Sequence, residues 1–186
     1  VNSTQGRILP RKSDWVAGTG NISINAGTHS VEFWDGATVS TPGSFAARSG
    51  NWSGRGVRLM GMPITASSIH LGSGTGHILL EPNADLTAPT GGITIDSAGR
   101  YYQRDADVVA PGDSTITSNG AEIDGALLRS NTGDVRLTSG SNIRLYDAYS
   151  RNPVIWAKEQ ITIASTNSHF ENRGFIDGGR AVSITS

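Results

Sequence analysis

The sequence predicts an all-β chain wound as a right-handed parallel β-helix of about 20 residues per coil, and three observations lead there. Short strands alternate apolar and polar residues, the same apolar-x-apolar tripeptide recurs from one end of the chain to the other, and Gly, Ser, Thr and Asn dominate the composition. Apolar residues are 36% and charged residues 17% of the 186, both low, while glycines number 24. That mixture suits many short strands joined by turns.

The tripeptide appears in order at Ile22-Ser23-Ile24, Val57-Arg58-Leu59, Ile69-His70-Leu71, Ile78-Leu79-Leu80, Ile93-Thr94-Ile95, Val135-Arg136-Leu137, Ile143-Arg144-Leu145, Ile161-Thr162-Ile163 and Val182-Ser183-Ile184. Weaker versions lie near Val39 and Ile116. With one strand taken per turn, the starts run from 22 to 182 in eight steps, a mean of 20 residues. A recurrence of this length is too short for a propeller blade, and no leucine-rich consensus is present. In a β-helix Val135, Leu137, Ile143 and Leu145 point into the bore and Arg136 and Arg144 into water, because side chains alternate along a strand. Gly133-Asp134, Ser139-Gly140 and Gly178-Gly179 supply the corners. An antiparallel β-sandwich uses the same ingredients and is the alternative.

Composition also excludes several functions. The 15 basic and 16 acidic side chains nearly cancel, so no broad field attracts nucleic acid or an anionic bilayer. There is no cysteine, which removes disulfides and thiolate metal sites. No stretch approaches the roughly 20 apolar residues of a membrane-spanning helix, so membrane insertion is not expected. The closing Ala181-Val182-Ser183-Ile184-Thr185-Ser186 stops inside a strand-like pattern, and the expectation is one β-helical segment, 1–186, excised from a longer filament.

Gln160-Ile161-Thr162-Ile163-Ala164-Ser165 and the run Phe170 to Ile184, with Asn172-Arg173-Gly174-Phe175-Ile176 at its turn, resemble the repeat of filamentous-haemagglutinin-type exoproteins. Gly133 to Ile143 is similar to the other common phrase of that family. The resemblance covers about residues 90–186. It implies a two-partner-secreted filament at the surface of a Gram-negative bacterium, in a family that includes the stick proteins of contact-dependent growth inhibition. It also implies an outer-membrane transporter as partner during export of the full-length chain. The family's amino-terminal secretion domain carries Asn-Pro-Asn, whereas here Asn152-Pro153 is followed by Val154, so an internal filament segment is implied.

Function is expected where the pattern breaks, in residues 25–65 and 96–116, read as irregular or loop-bearing coils. Trp34 and Trp52 sit among small polar residues in the first. Tyr101, Tyr102 and Arg104 fall in the second, and Tyr146 and Tyr149 form a similar cluster further on. Amphipathic rings beside arginines suit a protein hot spot or a sugar platform. Bore filling for the tryptophans and ordinary turns for the tyrosine clusters are the structural alternatives.

Catalysis by paired carboxylates, Asp105 with Asp107 or Asp96 with Asp124, corresponds to a polysaccharide-degrading enzyme, but turn aspartates commonly bond their own backbone. His70 and His77 are the nearest approach to a metal pair, and Gly72 to Gly76 lacks the lysine and helix of a phosphate loop. No cofactor and no metal are implied. The expected function is recognition of an outer-membrane protein or lipopolysaccharide glycan on a neighbouring cell, without enzymatic activity; a passive spacer is the alternative within the same fold.

Overall fold

The computed structural model describes residues 1–34, 36–50, 54–147 and 151–186. It is a β-solenoid of about eight turns with about 23 residues per turn, 61% strand, and no helix among the described residues. Every strand pairing within it is parallel, each strand of the inner coils bonding to its equivalents one coil before and one coil after. Pairing between coils explains how strands of three to five residues persist, since each lies between two neighbours rather than at an edge.

Three parallel sheets form the walls. Sheet 1 stacks Ile22–Ala26, the second half of Thr38–Ser49, the second half of Ile64–Ser73, the first halves of Ile93–Arg104 and Ser114–Asp124, then Val135–Ser139, Gln160–Ser165 and Ala181–Thr185. Sheet 2 stacks Val31–Phe33, Arg55–Leu59, His77–Leu80, the second halves of Ile93–Arg104 and Ser114–Asp124, then Ile143–Tyr146 and Phe170–Asn172. Sheet 3 begins at Asp14–Val16, takes the first halves of Thr38–Ser49 and Ile64–Ser73, and continues through Leu86–Thr87, Val108–Ala110, Leu127–Ser130, Val154–Ala157 and Phe175–Gly178.

Equivalent positions on sheet 1 are Ile22, Phe45, Ile69, Ile93, Ser114, Val135, Ile161 and Val182, so seven turns separate 22 from 182 where the sequence count finds eight steps. The count ran high because Val39 belongs to sheet 3 while Val57 and Ile78 belong to sheet 2. Strands of three different walls carry the same apolar-x-apolar signature.

Alternation places the core as expected: Val135, Leu137, Ile143, Leu145, Ile161 and Ile163 are fully buried, and Arg136 is exposed. Residues 96–116, read as irregular, are mostly strand: Ile93–Arg104 turns the corner from sheet 1 to sheet 2 with a bulge between Ser97 and Arg100. A bulge absorbs the corner without breaking the pairing. Residues 25–65 likewise hold strands of all three sheets, with register shifts between Thr41 and Ser44 and between Arg55 and Val57.

Serines close the corner at the end of sheet 1. Ser49, Ser73, Ser97, Ser118, Ser139 and Ser165 stack in register, all buried. Ser73 Oγ donates to the Gly76 carbonyl at 2.8 Å, Ser97 Oγ to the same carbonyl at 3.2 Å, and Ser165 Oγ to the Ser141 carbonyl at 2.8 Å. A short hydroxyl fits inside the turn and satisfies backbone groups that the change of sheet leaves unpaired. Part of the low apolar content is therefore interior. Where coils touch backbone to backbone only glycine fits: a Cβ on Gly50 would lie 1.6 Å from the Gly27 carbonyl oxygen.

Candidate recognition face

Sheet 2 presents the most varied outer surface. In one outward column Glu32, Arg58, Leu79, Tyr102, Glu122, Arg144 and Glu171 follow coil by coil, and Arg104, Asp124 and Tyr146 align beside it. Parallel stacking brings equivalent side chains of neighbouring coils close together, and acid mostly meets base. Arg58 donates to Glu81 from Nε at 2.9 Å and from Nη2 at 2.5 Å, Arg100 lies 3.4 Å from Glu122, and Arg173 lies 3.2 Å from Glu171.

Trp34 ends this face at the amino-terminal side. Its ring is half-buried, with the Arg58 guanidinium 4.1 Å and that of Arg11 5.8 Å from the ring centroid, so cations already occupy it. Its Nε1 is buried without a hydrogen-bond partner. Tyr102 points outward, half-buried, edge-on to His77 at 5.8 Å and with Arg104 stacked 5.0 Å from its centroid. Tyr146 is also half-buried, its hydroxyl accepting from Arg144 Nη1 at 3.1 Å. Trp52 and Tyr149 lie outside the described residues.

Tyr101 is a correction. It is fully buried in the bore, in register with Ile78 and Ala121, and presents nothing to a partner. Its hydroxyl donates to Gln103 Oε1 at 2.9 Å, and Gln103 Nε2 donates to the carbonyls of Ala106 at 2.8 Å and Leu127 at 2.9 Å. Burial holds the Tyr101 phenol well above its ordinary pKa. The two adjacent tyrosines therefore divide, one building the core and one the surface.

Charge at the edge of the face is tuned locally. His77 Nδ1 accepts the Arg100 backbone N–H at 2.8 Å, and burial, followed by the Arg100 charge, holds its imidazole below the ordinary value. In the turn before sheet 1 Asp113 accepts the Asp134 N–H at 2.9 Å, which with Arg136 keeps its carboxyl low despite partial burial.

The carboxylate pairs weighed for catalysis are engaged or apart. Asp105 and Asp107 both face the Arg151 guanidinium, and Asp107 also accepts the Leu127 N–H at 3.2 Å. Asp96 stands on the outside of sheet 1, 3.3 Å from His70, whereas Asp124 is on sheet 2. His70 and His77 are on different sheets as well.

One surface feature escaped the sequence reading. On the outside of sheet 3, Leu127, Val154 and Phe175 line up beside Arg129 and Trp156, forming a shallow depression of about 340 Å³ between Leu127, Arg129, Val154 and Trp156. Arg129 lies 4.8 Å from the Trp156 centroid, and Phe175 is 58% exposed. The available signal was parity: in Val154-Ile155-Trp156-Ala157 the small Ala157 and Ile155 share the buried side, which leaves Trp156 outside.

Fold and face together define a β-solenoid protein with a charged and aromatic outer wall, compatible with filamentous-haemagglutinin-type repeats. No protein-family model, curated protein or solved structure matches the chain.

Proposed function

We propose that this chain is an internal segment of a secreted, filamentous-haemagglutinin-type surface filament of a Gram-negative bacterium, and that the outer face of sheet 2 recognises a component of a neighbouring cell. The partner class is an outer-membrane protein or a lipopolysaccharide glycan. The observation that carries the reading is the row of Tyr102, Arg104, Arg144 and Tyr146, amphipathic rings and guanidinium groups held half-exposed on a rigid wall. Such side chains dominate binding energy in interfaces and lose little freedom on contact when prepositioned. The face has no catalytic part in this reading.

A passive spacer is the second reading. It is favoured by Tyr101 filling the bore and by Arg58 covering Trp34, two aromatic residues that serve the solenoid itself. The two readings separate in a binding experiment with labelled fragment and intact cells of a diverse Gram-negative panel. Recognition predicts saturable binding to at least one strain, weakened about tenfold, or roughly 1.4 kcal/mol, in a folded Tyr102→Ala/Arg104→Ala variant. Absence of saturable binding across the panel contradicts recognition and favours the spacer.

A further inference from the structure

We infer that a notch on sheet 2 between Arg100 and Arg144 binds the oxyanion of an acidic sugar, a uronate carboxylate or a sugar phosphate; the assignment rests on sheet 2 being the recognition face. The notch arises from one missing side chain. Arg100 is in register with Gly120, and the Ala121 N–H bonds the Asn142 carbonyl in the next coil, so Gly120 occupies the rung between Arg100 and Asn142 and adds no side chain to it. Arg100, Gly120, Glu122, Ser141, Asn142 and Arg144 line the gap, about 40 Å³ in volume. That is more than the room for a single water, so the notch accepts a small polyatomic group.

Two guanidinium groups and one carboxylate line it: Glu122 lies 3.4 Å from Arg100 Nη1, while the ion-pair partner of Arg144, Glu171, stands outside the gap. Arg144 Nε is buried with no hydrogen-bond partner; Glu171, 3.9 Å away, forms an ion pair with it but is too far to accept a hydrogen bond. Tyr102, then Glu122, favour the Arg100 charge, and repulsion from Arg144 is the smallest contribution to it. An added oxyanion can accept from guanidinium forks on two coils at once. Asn142 Oδ1 is engaged by Ser168 Oγ and the His169 N–H, which leaves its amide nitrogen as a donor. Tyr102, in register with Glu122, places an aromatic ring beside the notch, and Tyr146 borders Arg144. These rings offer apolar surface to a pyranose, which a bare inorganic anion does not use.

The test is calorimetric titration of the folded chain with three probes: trigalacturonate, glucose 6-phosphate and uncharged maltotriose. The inference predicts that an acidic probe binds and maltotriose does not, and the acidic probe that binds identifies the oxyanion source. Gly120→Ala fills the gap without changing charge; its Cβ would meet only side-chain atoms, Arg100 Cγ at 3.3 Å and Ser141 Oγ at 3.5 Å. It should weaken acidic-probe binding at least tenfold. Arg144→Lys keeps the charge but loses the fork and should weaken it as well, giving a second reading if Gly120→Ala alters the fold. No binding by either acidic probe, or unchanged binding in both folded variants, overturns the inference. Cell binding separates the two proposals: a parent that binds cells through Tyr102 and Arg104 but ignores acidic sugars keeps the face and loses the notch. A parent that binds trigalacturonate but no cells does the reverse.

Discussion

In the amino-terminal coils Phe33 and Phe45 point into the bore, ring centroids 6.3 Å apart, and Trp15 packs edge-on against Phe33 at 5.8 Å. In the carboxy-terminal coils Ile143, Leu145, Ile155, Ile161 and Ile163 fill the same space, with Phe170 half-buried against them, and the rings Trp156 and Phe175 stand on the outer wall. Both regions wind the same three sheets, so neither fold nor residue type explains the difference. Position along the strand does. Phe33 is two residues from Val31 and shares its inward side, whereas Trp156 lies between inward Ile155 and Ala157. A one-residue change of parity moves a ring from stability to surface chemistry.

The strongest way to break that comparison is to reverse polarity inside. Leu137→Asp and Ile161→Asp each bury an unpaired carboxylate between stacked coils and should abolish folding, while Arg136→Ser, on the same strand as Leu137 but outside, should change stability by less than about 0.5 kcal/mol. Chemical denaturation read by circular dichroism measures both. Equal effects would contradict the assignment of sides.

Truncating the rings sharpens it. Phe33→Ala opens a cavity at a fully buried site and should cost about 3–5 kcal/mol. Trp156→Ala removes a half-buried outer ring and should cost under about 1 kcal/mol, a loss comparable with its contact to Arg129. Similar losses in the two denaturation curves would mean that the outer ring of sheet 3 belongs to the core.

Ser114 tests the bore with the opposite sign. It is fully buried between Ile93 and Val135 in the apolar column of sheet 1, and its Oγ has no hydrogen-bond partner. Ser114→Val removes an unsatisfied hydroxyl and continues the column, so it should stabilise the fold by about 1 kcal/mol. A lower denaturation midpoint would show that the hydroxyl is engaged.

How much of this was legible follows from the same parity. Val135, Leu137, Ile143 and Leu145 were readable as interior because each strand offers one apolar side. Tyr101-Tyr102-Gln103-Arg104 offers two sides of similar character, and only the Tyr101 to Gln103 hydrogen bond and the fit of both into the bore decide which is buried. Coil length was blurred because the three sheets share one signature. The serine corner was hidden by its composition, which reads as turn, and Trp156 by Val154-Ile155-Trp156-Ala157, which reads as a buried strand.

The smallest expected effect is on pH dependence. The His77 pKa is lower folded than unfolded, so the folded state binds fewer protons and stability falls as pH drops below about 6.5 toward the folded value. Asp113, also depressed on folding, adds a loss in the same direction from below its ordinary value of 3.8. Melting temperature should therefore decline slightly from pH 7 to 5 and further below pH 4, and His77→Gln should flatten the first interval. A melting temperature that rises on acidification between pH 7 and 5 would contradict the sign.

The division between a core-building and a surface tyrosine is tested most directly by Tyr101→Ala and Tyr102→Ala measured side by side, for denaturation midpoint and for binding to the Gram-negative panel. Tyr101→Ala should lose several kcal/mol of stability, with a correspondingly lower midpoint, from a fully buried ring and the orphaned Gln103 amide oxygen. Tyr102→Ala should keep a near-parental midpoint with cell binding reduced about fivefold or more. Parental cell binding by Tyr102→Ala, together with a midpoint loss equal to that of Tyr101→Ala, would contradict that division.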